Sequence, residues 1–175
     1  MKLIPDCFGC HTQALTSTKL ADNLLPAISA CTPCHERGKV SIKQPRELRL
    51  KIFNHAFHAK FGNVAPLLKG AVQAKTYLGD APTGLDTRNA CAACHHGIEQ
   101  STAASKSHFP QMPDCLVCHN KIDPPFSCET CHGVGDKSLK PAAHKMDYLD
   151  SHTRRSEKLG CAVCHGRQFT CLGCH

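Results

Sequence analysis

Apolar residues recur at helical spacing in only a few stretches of this chain, and those stretches predict its regular structure. A short helix is expected around Thr18–Ser29, where Pro26 would kink it. A second is expected over Arg46–Phe61, with Pro45 suited to open it and Gly62 to stop it. Leu50, Phe53, Phe57 and Phe61 form its apolar stripe, while His55 and His58, three apart, lie together on one side. Pro66–Tyr77 reads as a third helix, followed by a loop rich in Gly, Pro and Thr up to residue 89. Pro141–Leu159 reads as a fourth, stopped by Gly160 and carrying His144 and His152. The expected fold class is mainly α with much irregular coil and few or no strands. No run of 18 apolar residues is present, so no membrane-spanning helix is expected.

Composition changes this picture, because the helices have little to pack with. The chain has 175 residues, enough for one domain or two small ones. Leu, Ile, Val and Phe supply only a fifth of them, near the edge at which a chain can bury an apolar core. The 41% hydrophobic content includes 14 Cys, and there is no Trp. Something other than side chains must fill the interior.

The cysteines supply a candidate. All 14 fall into seven C-x-x-C-H motifs. These are Cys7, Cys10 and His11; Cys31, Cys34 and His35; Cys91, Cys94 and His95; Cys115, Cys118 and His119; Cys128, Cys131 and His132; Cys161, Cys164 and His165; and Cys171, Cys174 and His175. At this Cys and His abundance chance would give about 0.1 such motif in the chain. The spacing is the attachment signature of c-type haem: two thiols add to the vinyl groups, and the adjacent His becomes the proximal iron ligand. Zinc would pair its C-x-x-C knuckles into four-thiolate sites, but seven knuckles cannot pair off, and zinc gives no reason for the His. A disulfide scaffold explains an even Cys count and again not the His. Seven haem c groups, one per 25 residues, would supply the missing core, and haem packing would largely set the fold.

Histidine then limits how the irons are ligated. Thirteen His less the seven proximal ones leave His55, His58, His96, His108, His144 and His152 as distal candidates. Six cannot serve seven irons, so at least one haem is expected to be His/Met, bound by another donor, or open. None of the six precedes His55, so the haem on Cys7 and Cys10 and the haem on Cys31 and Cys34 have no distal His nearby in sequence. Met112, Met146, Met1 and the terminal amine are alternative donors, with ordinary packing the competing role for each Met. Gly97, Gly133 and Gly166 follow the proximal His or its successor. They read either as helix-terminal turns or as places where backbone approaches a porphyrin.

The motifs divide a single expected domain, 1–175, into residues 1–44 with two haems, 45–135 with three and 136–175 with two. In the middle part, His55-x-x-His58 followed by Cys91-Ala-Ala-Cys94-His95-His96 resembles the opening of the class III multihaem cytochromes, the tetrahaem and trihaem kinds. The resemblance covers roughly residues 52–132. It implies that His55 serves the haem on Cys91 and Cys94, His96 the haem on Cys115 and Cys118, and His58 the haem on Cys128 and Cys131. The gap from His58 to Cys91 is longer than the family pattern, and His108 is extra. The closing section, ending Cys171-Leu172-Gly173-Cys174-His175, resembles larger periplasmic and extracellular cytochromes.

Charge adds less than its size suggests. Lys and Arg outnumber Asp and Glu by 21 to 14, a formal net charge of +7. Seven haems would bring about 14 propionate charges, so the basic excess most simply offsets them and does not point to nucleic acid. Arg154 and Arg155, with Lys137, Lys140 and Lys145, could instead form a partner patch. Electron transfer is the expected function, with redox partner proteins or extracellular acceptors and, as one form, assembly into a homo-oligomer, filament or conduit. The alternative is a reductase acting at a His-deficient haem. No C-x-x-C-K motif is present. Thioether attachment occurs outside the cytoplasm, so a periplasmic or extracellular location is expected. The start, Met1–Cys7, has no room for a signal peptide, so the chain is expected to be processed or renumbered from a longer precursor.

Overall fold

A computed structural model describes residues 7–26, 29, 50–85, 88–101, 106–119, 128–136, 139 and 163–164. Among these the chain is short helix and coil without a strand, and the nearest thing to a sheet is one antiparallel bridge between Leu50 and His132. No helix among them is long and apolar enough to cross a membrane. The second motif, with Cys31, Cys34 and His35, lies outside the described residues, as does the last, with Cys171, Cys174 and His175. Of the sixth motif Cys161 and His165 lie outside, and Cys164 alone of its three is described. The ligand candidates His144 and His152, with the expected helix Pro141–Leu159 that carries them, are outside too. So are Arg154, Arg155, Lys137, Lys140, Lys145, Met1, Met146 and Gly166.

Four α-helices are present among the described residues: α1 (Cys7–Cys10), α2 (His55–Ala59), α3 (Ala65–Gln73) and α4 (Met112–Cys118). Thr12–Leu15, Ile98–Gln100, Lys106–His108 and Cys128–Thr130 form 3-10 turns.

The helix expected at Thr18–Ser29 is not there: residues 18–26 are turn and coil. The Asp22 carboxylate accepts from the N–H groups of Thr18 and Lys19, and the Asn23 side chain accepts from Leu25 N–H. Side chains capture the amides that a helix would need. From residue 50 onward, the expected Arg46–Phe61 helix shrinks to α2 for a similar reason. Asn54 adopts an extended backbone and accepts Phe57 N–H at 2.8 Å, which makes it the cap and starts the helix just before His55. The stop at Gly62 holds: its φ is +65° and its N–H reaches back to Ala59 at 3.2 Å. α3 starts with Pro66 in its first turn, as expected, but ends at Gln73, because Lys75 turns left-handed at φ +55°.

Long-range bonds gather these pieces. Ala56 N–H donates to Ser17 O at 2.9 Å, joining α2 to the segment after the first motif. Lys51 N–H donates to Cys131 O at 2.6 Å, joining the approach to α2 to a motif some 80 residues later. Tyr77, just past α3, donates its hydroxyl to Asp114 of α4 at 2.7 Å.

The core these pieces enclose is thin. Among the described residues the buried apolar side chains are Ala65, Leu68, Ala92 and Ala93, and no large side chain is fully buried. Ala92 and Ala93 are the two residues between Cys91 and Cys94, so that motif sits at the centre. Meanwhile Phe8, Phe57 and Phe61 stand exposed beside motif residues and ligand candidates. The apolar stripe predicted for the second helix is therefore only partly inward: Phe57 and Phe61 pair edge to face at 5.2 Å on the surface.

Candidate metal centres

Each motif whose thiols and histidine are all described folds into the same turn. The His N–H donates to the carbonyl of the first Cys in all four: His11 to Cys7 at 2.7 Å, His95 to Cys91 at 2.8 Å, His119 to Cys115 at 2.9 Å and His132 to Cys128 at 2.9 Å. That bond closes one helical turn, so residues three and four apart share a face. Both thiols and the imidazole thus belong to one side of one turn. None of the nine described cysteines, Cys164 included, forms a disulfide.

The imidazoles are held in a consistent way. Nδ1 pairs with a main-chain carbonyl in His11 (Leu24 O, 2.7 Å), His58 (Asn54 O, 2.8 Å), His95 (His108 O, 2.9 Å) and His108 (His96 O, 2.8 Å). A ring that donates from Nδ1 keeps its lone pair on Nε2, the arrangement second-shell carbonyls impose on metal-binding histidines. Burial, opposed by the bond to His108 O, pushes His95 below the ordinary histidine range, and the neighbouring His11, His96 and His108 add to the lowering. His55 is lowered first by burial, then by nearby His95 and His58. Neutral imidazole is the form that ligates metal.

The motifs also lie beside one another. Asn89 donates to Cys7 Sγ at 3.1 Å while its Oδ1 accepts Cys91 N–H at 2.9 Å, so one side chain spans the first and third motifs. Burial pushes the Cys91 thiol up to about 11, and the Cys7 thiol beside it adds to the rise. Burial, then Asp114, then Cys118 raise Cys94. Cys115 is pushed up to about 11 by burial, then Asp114, then the thiols Cys131 and Cys94. The first and third motifs therefore lie side by side, bridged by Asn89.

Distal candidates divide by surroundings. His58 stacks on Phe53 at 4.4 Å, and its ring centroid lies 6.3 Å from that of His119. His108 packs beside Gly97, whose φ of +69° is what calls for glycine there; a Cβ would meet His108 Nδ1 at 3.7 Å, an ordinary contact. Of the two roles weighed for that glycine, the left-handed turn is what the structure displays. His96 is buried, with Nε2 3.0 Å from Asp114 Oδ1. Buried Nδ1 of His55 and both ring nitrogens of His96 have no well-aligned hydrogen bond. His96 Nε2 has the Asp114 carboxylate beside it, while Nδ1 of His55 and of His96, desolvated and without partners, are costly unless a ligand or metal meets them. Met112 opens α4, three residues before Cys115.

Asp114, Tyr77, Asn54 and Asn89 are the residues that motif reading missed. Asp114 left a local signal as the N3 residue of the capping box opened by Gln111, and Asn54 as a cap residue directly before α2.

These residues fit haem c. The turn supplies two thiols and an imidazole on one face, the carbonyl bonds leave Nε2 for iron, and exposed Phe8, Phe57 and Phe61 offer apolar surface to a porphyrin. Among the described residues no three His, Cys, Asp or Glu side chains converge as a bare metal ion would require.

No family profile matches the chain, and no solved structure matches it. The high-molecular-weight cytochrome c of Nitratidesulfovibrio vulgaris (strain Hildenborough) is 34% identical over 77 residues, which is 40% of this chain and 12% of that protein. The chain therefore spans only a small part of that relative's length. Part of the chain is similar to a multihaem c-type cytochrome, and the likeness implies covalently bound haem c.

Proposed function

We propose that this chain is an electron-transfer cytochrome c carrying seven covalent haems in one domain, two in residues 1–44, three in 45–135 and two in 136–175. The observation that carries this reading is the single turn repeated at four motifs, with those of Cys7 and Cys91 bridged by Asn89. Haem c, when bound, supplies one-electron chemistry between ferric and ferrous iron. The chain's own residues do the rest. Paired thiols fix the ring edge, His11, His35, His95, His119, His132, His165 and His175 hold the iron from one side, and Nδ1–carbonyl bonds fix each imidazole they reach. Haems held at motifs as near as those bridged by Asn89 would exchange electrons readily, because electron tunnelling falls steeply with distance. Distal ligands come from His55, His58, His96, His108, His144 and His152. Attachment chemistry places the protein in the periplasm or outside the cell, with redox proteins or extracellular acceptors as partners.

Intact mass of the purified protein tests this directly. The chain mass plus seven haems is expected, and a mass with none overturns the reading. A reductive titration should take up seven electrons in total.

The histidine count favours a second reading in one respect. Thirteen imidazoles cannot give seven irons two each, and an open iron could reduce a nitrogen or sulfur oxyanion or a metal ion. Carbon monoxide binding by one ferrous haem, together with turnover of nitrite or sulfite, would favour that reductase.

A further inference from the structure

Helix capping accounts for only half of the Asp114 carboxylate. The capping box uses Oδ2, which accepts Gln111 N–H at 2.7 Å. A capping acid needs no burial, and Asp is seldom buried without partners, yet the Asp114 side chain is only 4% exposed. Its other oxygen, Oδ1, accepts the Tyr77 hydroxyl at 2.7 Å and stands 3.0 Å from His96 Nε2. Donors on both oxygens are what a charged carboxylate requires in an interior, where an unpartnered one would be costly.

The place of this carboxylate gives it a use. Asp114 directly precedes Cys115 in α4, while His96, against it, is two residues past Cys94. The side chain therefore lies at the seam between the third and fourth motifs. Burial first, and the Asp114 charge second, raise the Cys94 and Cys115 thiols alike, so the charge is felt on both sides of the seam. Ferric iron carries one more positive charge than ferrous iron. A fixed anion nearby favours the ferric form, and does so most strongly where water is excluded.

We propose that Asp114 is a redox-tuning residue, a buried negative charge that lowers the midpoint potentials of the haem on Cys91 and Cys94 and the haem on Cys115 and Cys118. This rests on the haem reading above, and the two fail differently. A peptide spanning either motif that carries no haem by mass overturns the haem reading there. Haems present with unmoved potentials overturn the tuning alone.

The test is a spectroelectrochemical titration of the full-length loaded protein at about pH 8, where ordinary carboxylates are ionised. Asp114→Asn keeps the size of the side chain and removes its charge, so the midpoints of those two haems should rise while the others stay. Adding Cys115→Ala and Cys118→Ala, which removes one of the two haems, should remove one of the two rises. Tyr77→Phe takes a donor from the same carboxylate and leaves its charge less offset, so the same midpoints should fall. A merely structural role would move both variants in one direction. Unmoved midpoints in Asp114→Asn, a shift of the same sign in Tyr77→Phe, or rises that both persist without Cys115 and Cys118 each overturn the proposal. If Asp114→Asn fails to retain its haems, Tyr77→Phe decides: a fall in those midpoints supports the tuning, and no fall overturns it.

Discussion

His11, His58, His95 and His108 each pair Nδ1 with a main-chain carbonyl, and that bond decides which nitrogen faces a metal. Around the central motif the fit is close: Ala93 has no exposed surface and Ala92 almost none. Ala93→Leu should overpack this turn and cost about 1–3 kcal/mol, read as a lower denaturant midpoint of the loaded protein. Asp114 carries the second residue-scale prediction. Burial, then its bond and charge, hold the Tyr77 phenol above the ordinary tyrosine range. The unfolded chain releases this proton near pH 10, the folded chain only at higher pH. The contribution to stability is therefore complete below about pH 10 and lost as pH rises above it. Tyr77→Phe should lessen that alkaline loss, which guanidinium midpoints at about pH 8 and about pH 11 would measure. At neutral pH the same change should cost about 1 kcal/mol through the lost bond to Asp114.

Helices among the described residues are short and bury few apolar side chains. α2 has only five residues, too short to persist without its cap and its tertiary bonds. Asn54→Ala removes the acceptor for Phe57 N–H and should cost about 1 kcal/mol, visible as a lower melting temperature. Gly62→Ala places a side chain at φ +65° and should cost about 1 kcal/mol in the same measurement. Nothing within 4 Å would meet the added methyl, so backbone strain alone sets that loss. The helix expected at Thr18–Ser29 illustrates the limit of periodicity here. Asp22 and Asn23 offered the backbone nearer acceptors, and the segment became a turn that presents Leu24 O to His11.

The whole molecule is expected to carry its interior as cofactor. The chain alone has a net charge of +7 and an isoelectric point near 8.8. Seven haems would add about 14 propionate charges, partly offset by ferric iron. Isoelectric focusing of the loaded protein should give a distinctly lower point, falling further on reduction. A loaded protein that focuses near 8.8 would show that the basic excess has another purpose, such as a partner surface.

The attachment turns were legible in the sequence because their chemistry is local. Two thiols and a histidine within five residues need only one backbone bond to share a face, and that bond forms at the motifs of Cys7, Cys91, Cys115 and Cys128 alike. The scarcity of core, the helical class and the stop at Gly62 were legible for the same reason: composition and single-residue backbone preference act without distant partners. Which imidazole meets which motif was not legible. His58 lies 61 residues before His119, and Cys7 lies 82 residues before Asn89, so each meeting depends on long-range bonds such as Ala56 to Ser17 and Lys51 to Cys131. Spacing fixes geometry only within a turn or two. Beyond that, loop closure leaves many pairings open, and the packing of α2 on the Thr12–Leu15 turn and of α3 on α4 narrows them.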